Sequence, residues 1–109
     1  MEKFLIDEKD IKQLTNIKGG CIASNRITVD GAKVGYMYRE VPCDQYADSG
    51  WRFFAGDESD EYCENPDNFN IFELNTICNY DPSIIPHLDA KIDTSFEKTN
   101  GDFVEIKEN

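Results

Sequence analysis

The sequence predicts an α+β fold: a small, mainly antiparallel sheet with an N-terminal helix and one or two further short helices packed on it. Three observations point there. Short alternating apolar runs occur between Cys21 and Phe54 and again between Phe96 and Ile106. Helical apolar spacing marks the first twenty residues and the stretch around Ile71–Cys78. The two patterns do not alternate as a βαβ rhythm would require, so α+β fits better than α/β.

The elements follow in order. Asp7 or Asp10 is placed to cap a first helix, on which Ile11, Leu14 and Ile17 share a face before Gly19-Gly20 ends it. Cys21-Ile22-Ala23-Ser24 reads as a buried strand. Ile27–Val29 and Val34–Tyr38 read as strands flanking Asp30-Gly31, a dipeptide suited to the positive φ of a hairpin turn. Val34, Tyr36 and Tyr38 are expected on one face of that second strand, with Gly35, Met37 and Arg39 on the other. Pro42 removes a ladder donor, and Val41–Gly50 is expected as loop. Trp51-Arg52-Phe53-Phe54 reads as a further strand, Trp51 and Phe53 facing one way, Arg52 and Phe54 the other.

Beyond it, Asn65-Pro66-Asp67-Asn68 is a turn. A second helix is predicted over Ile71–Cys78, with Ile71, Leu74, Ile77 and Cys78 inward. Asp81-Pro82 caps and opens a short helical turn that Pro86 limits. Asn100-Gly101 joins a closing hairpin. The 109 residues are the length of one domain.

Composition narrows function. The net charge of −11 opposes binding to nucleic acid phosphate and favours basic partners. Nine carboxylates against one base, Arg52, fall between Glu40 and Asp67, so eight of the eleven net negative charges are local. Met1–Asp10 is too charged for a signal-peptide core, and no apolar run is long enough to span a bilayer, so a cytoplasmic location without membrane contact is expected. Cys21, Cys43, Cys63 and Cys78 form no CxxC pair, and His87 is the one histidine. This is a poor ligand set for zinc, and no metal or cofactor is expected. There is no nucleophile elbow, phosphate loop or dinucleotide fingerprint, so no catalysis is expected.

Two features admit more than one reading. Asp57-Glu58 and Asp60-Glu61 are either a solvated run or a partner-binding patch; their spacing is not that of an EF-hand. Trp51 is either core or an interface anchor beside the carboxylates. As an interaction surface the candidate residues are Trp51, Glu58, Asp60, Glu61 and Asp67. Alternatively, Tyr36, Tyr38, Trp51 and Phe54 line an aromatic pocket for a small molecule or peptide.

One stretch is distinctive. Gly35-Tyr36-Met37-Tyr38-Arg39-Glu40 is followed by Asp48-Ser49-Gly50-Trp51-Arg52-Phe53-Phe54-Ala55-Gly56-Asp57-Glu58-Ser59-Asp60-Glu61-Tyr62, then Asn65-Pro66-Asp67-Asn68 and Leu74 to Pro86. This pattern resembles the DUF2185 family of small bacterial proteins, also called the immunity protein 33 family. The family-like region runs over 20–107, with the first 19 residues appended to it. The resemblance implies an α+β fold and a role in polymorphic toxin systems, where an immunity protein binds and neutralises a cognate toxin. It implies no catalytic residue. The expected partner is a protein toxin with a basic surface, met by a monomer or homodimer.

Overall fold

The structure is a computed structural model and describes residues 4–106; the ends of the expected 1–109 domain and of the 20–107 family-like region lie outside these. Six strands form one sheet: β1 (Gly20–Ser24), β2 (Tyr36–Arg39), β3 (Asp48–Phe54), β4 (Phe69–Glu73), β5 (Ser95–Thr99) and β6 (Asp102–Glu105), in the order β4-β1-β3-β2-β5-β6. Only β1 and β3 run parallel; the other four pairings are antiparallel. Three short helices, α1 (Asn25–Thr28), α2 (Asp60–Glu64) and α3 (Leu74–Tyr80), and a six-residue 3₁₀ segment (Pro82–His87) complete the fold. The α+β class and the mainly antiparallel sheet are as the sequence predicts.

The core lies on one face of the sheet. Cys21 and Ala23 of β1, Met37 of β2, Trp51 and Phe53 of β3 and Phe96 of β5 meet Ile27, Leu74, Ile77, Cys78, Ile84 and Leu88. Period-two alternation fixes this face, because side chains i and i+2 of a strand point the same way. Burial pushes the Cys78 thiol up to about 11 and the Cys21 thiol higher still, so both stay protonated as packed apolar groups. The closing hairpin forms as expected, with Asn100 and Gly101 both at positive φ. Asp81 caps the 3₁₀ segment by accepting from the Ser83 N–H at 3.1 Å.

The expected Val41–Gly50 loop is shorter, because β3 begins at Asp48, and four further expectations are corrected. The N-terminal helix is absent: only Glu8–Asp10 form a 3₁₀ turn, and 11–19 run as a strap without regular secondary structure. Leu14 and Ile17 stay about two-fifths exposed, so the helical face has nothing to bury. A segment this short lacks the burial needed to hold a helix. Its main chain is bonded instead by side chains of α3.

Ile27–Val29 is not a strand. Ser24 Oγ accepts from the Arg26 N–H at 3.1 Å and starts α1, and the Gly31 N–H returns to the Ile27 carbonyl at 3.2 Å. Positive φ at a glycine closes a helix as readily as it turns a hairpin, and Gly31 does the former. Val34 precedes β2 and is buried, its N–H donating to Asp81 at 2.9 Å, so it does not share the face of Tyr36 and Tyr38. Ile71 belongs to β4, not to a helix, and is 59% exposed. Pairing of all five β4 residues with β1 outweighs the local helical spacing.

Candidate functional site

Among the described residues no helix covers the centre of the other sheet face. The register aligns two rows of side chains across it. One runs Ile71, Ile22, Arg52, Tyr38 and Ser95; the next runs Phe69, Ser24, Phe54, Tyr36 and Glu97. Tyr36, Tyr38 and Phe54 form a mutual cluster with ring centroids 5.8 to 6.0 Å apart, and Phe69 meets Phe54 edge-on at 5.6 Å. Such pairs gain about 0.5–1.5 kcal/mol each beyond area burial. Tyr38, Phe54 and Phe69, with Ile22 and Ile71, line a concavity of about 480 Å³.

Arg52 forms part of that concavity. Its guanidinium grips Asp48 with two bonds, 3.0 and 2.8 Å, and donates from Nε to Glu40 at 2.6 Å. The Asp48 side chain is fully buried and that of Arg52 is 6% exposed. Hydrogen bonds from Arg52 hold the Asp48 carboxyl well below the usual carboxylate range, helped by the Cys43 and Gly50 N–H groups. The planar fork suits this bidentate geometry. Burial, then the Glu40 charge, raises the Tyr38 phenol, so Tyr38 presents a neutral hydroxyl. The one base of the acidic stretch is therefore internally consumed and adds no positive charge to the face.

The acidic segment borders this face. Ser59 caps α2, accepting from the Tyr62 N–H at 3.1 Å, and Asn65 caps the following turn. Tyr62 packs edge-on to Phe69 at 5.9 Å, which fixes α2 beside the aromatic cluster. Asp60, Glu61, Glu64 and Asp67 are exposed and form no ion pair with any described residue. On the far side of Tyr36 and Tyr38, a second concavity is edged by Glu40, Asp93 and Glu105. An aromatic centre thus has carboxylates on both flanks.

The sequence-selected residues divide. Asp60, Glu61 and Asp67 lie on the exposed flank. Glu58 is committed internally: its two oxygens accept from the Ala55 and Gly56 N–H groups at 2.8 and 2.9 Å. Asp57 pairs with Arg26, which lies outside the acidic stretch, through bonds of 3.1 and 2.7 Å. Of the two readings of Trp51, the structure has the core and not the interface anchor. Trp51 is 0% exposed, lies on the opposite face from Tyr36, Tyr38 and Phe54, and donates from Nε1 to the Leu88 carbonyl at 3.1 Å. The aromatic set without Trp51 is therefore Tyr36, Tyr38, Phe54 and Phe69. Phe69 escaped the sequence reading, because β4 was expected to begin a helix two residues later.

His87 packs against Phe96 and Phe103, with ring centroids 4.8 and 5.4 Å away. Among the described residues no group of three or more His, Cys, Asp or Glu gathers as metal ligands would. No helix among them is long and apolar enough to cross a membrane.

The family description "Immunity protein Imm33 domain" matches residues 21–107. The chain belongs to the Imm33 family. No curated protein and no solved structure matches it. The Imm33 region contains the whole sheet from Cys21 onward, the aromatic cluster, the Arg52 network and the acidic flank. The N-terminal strap precedes it.

Proposed function

We propose that this Imm33 domain neutralises a cognate toxin by binding it, without catalysis, through the open sheet face and its acidic flanks. The observation that carries the reading is a half-buried aromatic face bordered by Asp60, Glu61, Glu64 and Asp67, which pair with no base among the described residues. Apolar cores with charged rims are the common anatomy of protein interfaces. Asp60, Glu61 and Asp67, with Glu64 beside them, steer a basic toxin surface into contact; Tyr38, Phe54 and Phe69 supply the desolvated centre. Neutralisation is occlusion of the toxin's functional surface. Shallow, open concavities suit protruding side chains of a protein better than a small molecule, which is normally enclosed over most of its surface.

The test is co-expression with the toxin encoded beside the chain's gene. Wild-type chain should rescue growth, and Phe54→Ala combined with Phe69→Ala should lose rescue while remaining folded. Full rescue by that folded variant removes the open face from the mechanism.

A further inference from the structure

The strap is held in an unusual way. It crosses α3 without regular secondary structure, and its polar contacts with α3 are made by main-chain groups. Asn79 reads Lys12 from both sides: Oδ1 accepts the Lys12 N–H at 3.0 Å, and Nδ2 donates to the Lys12 carbonyl at 2.9 Å. Asn75, one turn earlier, donates from Nδ2 to the same carbonyl at 2.8 Å. Its Oδ1 accepts the N–H groups of Leu14 and Thr15 at 2.7 and 3.2 Å. The two amides support one orientation only, since flipping either would face oxygen to oxygen. Further along, the Tyr80 hydroxyl accepts the Ile6 N–H at 3.1 Å. Two apolar anchors complete the contact: Phe4 meets Phe72 edge-on at 5.2 Å, and Ile6 packs against the core cluster.

Three considerations separate this from ordinary packing. Asparagine ranks low in helix propensity, and the seven-residue α3 carries one in each end turn, both used for those bonds. The strap's own large side chains Leu5, Leu14 and Ile17 stay 61%, 41% and 40% exposed, so none of them is a buried anchor. And α3 and β4 lie inside the Imm33 match, while the strap lies outside it.

We infer that α3 and β4 form a peptide groove that reads main-chain groups, filled here in cis by residues 4–15. Its ligand class is a polypeptide segment with an apolar pair at one end and free main-chain amides at the positions of Lys12 and Leu14. The occupant is this chain's own N-terminal segment, and the same segment supplied in trans exchanges with it.

The experiment uses full-length chain with a site-specific protease sequence inserted after Asn16, folded first and then cut. Fluorescence of buried Trp51 and far-UV dichroism follow the fold. A labelled peptide of residues 4–16 is then titrated. The cut protein should keep its fold and bind the peptide saturably, exchanging with its own strap. N-methylation at Leu14 should weaken binding about tenfold by deleting the donor to Asn75. The Leu14→Ala peptide should bind within about threefold of the parent, as expected for an exposed side chain. Asn75→Ala with Asn79→Ala in the protein should abolish exchange. Unfolding on loss of the strap, failure of the peptide to exchange, or equal binding of the N-methylated peptide each overturns the groove.

Discussion

Arg52 and Asp48 make the sharpest energetic test, because their two bonds are buried while the third partner is not. The Asp48 side chain is fully buried, whereas that of Glu40 is 49% exposed. Asp48→Asn keeps the shape and removes the charge, leaving a buried guanidinium with Glu40 as its remaining anion. Breaking a buried pair from one side costs about 3–5 kcal/mol, and the surviving Glu40 contact places this case at the lower end, about 3. At about 4–8 °C per kcal/mol for domains near this size, the melting temperature should fall by about 12–24 °C. Glu40→Gln removes a half-exposed partner and should cost less than about 1 kcal/mol. Urea melts of wild type and both variants, followed by Trp51 fluorescence, give the values. Asp48→Asn within 1 kcal/mol of wild type, or no more harmful than Glu40→Gln, would refute the assignment of Asp48 as the buried counter-charge.

Three further outcomes are expected. Gly50→Ala should destabilise by well over about 1 kcal/mol, because Gly50 sits at φ +90° and a Cβ would collide with the Glu40 carbonyl. Gly101→Ala, at φ +87° with open space around it, should cost only the backbone strain of about 1–2 kcal/mol; thermal melts compare the two. Trp51→Phe should cost about 2–4 kcal/mol through a lost indole bond and an underfilled core, read by denaturant midpoint. Asp48 and Asp81 both have folded carboxyls held below their unfolded values, Asp48 chiefly by Arg52. For Asp81, burial pushes upward but the bonds from Ser83, Lys98 and Val34 outweigh it. Depressed carboxyls stabilise above the unfolded value and lose that contribution as pH falls through the folded one. Stability should thus be flat above about pH 5 and drop below about pH 4, with a shallower drop in Asp48→Asn.

Legibility followed burial. The faces of β3 were readable because Trp51 and Phe53 alternate with Arg52 and Phe54 and the core accepts only one set. The last hairpin was readable because Asn100-Gly101 has few other uses between two alternating runs. Asp30-Gly31 misled for the opposite reason: the same backbone geometry ends a helix, and only the Ser24 cap and the burial of Ile27 decide. The strap misled because its apolar spacing is helical while its hydrogen-bond partners are Asn75 and Asn79, some sixty residues away. The site was half legible. Concentration of carboxylates was visible, but not that Arg52, Arg26 and the Ala55–Gly56 main chain consume Glu40, Asp48, Asp57 and Glu58. The aromatic cluster needed the β4-β1-β3-β2 order, which no local pattern encodes.

The association rate constant with the cognate toxin, measured by stopped flow at low and high salt, bears on everything argued for the sheet face. Asp60→Lys, Glu61→Lys and Asp67→Lys together should slow association about tenfold or more at low salt and leave dissociation nearly unchanged, as steering predicts. The difference should shrink as salt rises. An association rate identical to wild type at low salt, in a folded triple variant, would contradict toxin capture by the acidic flank.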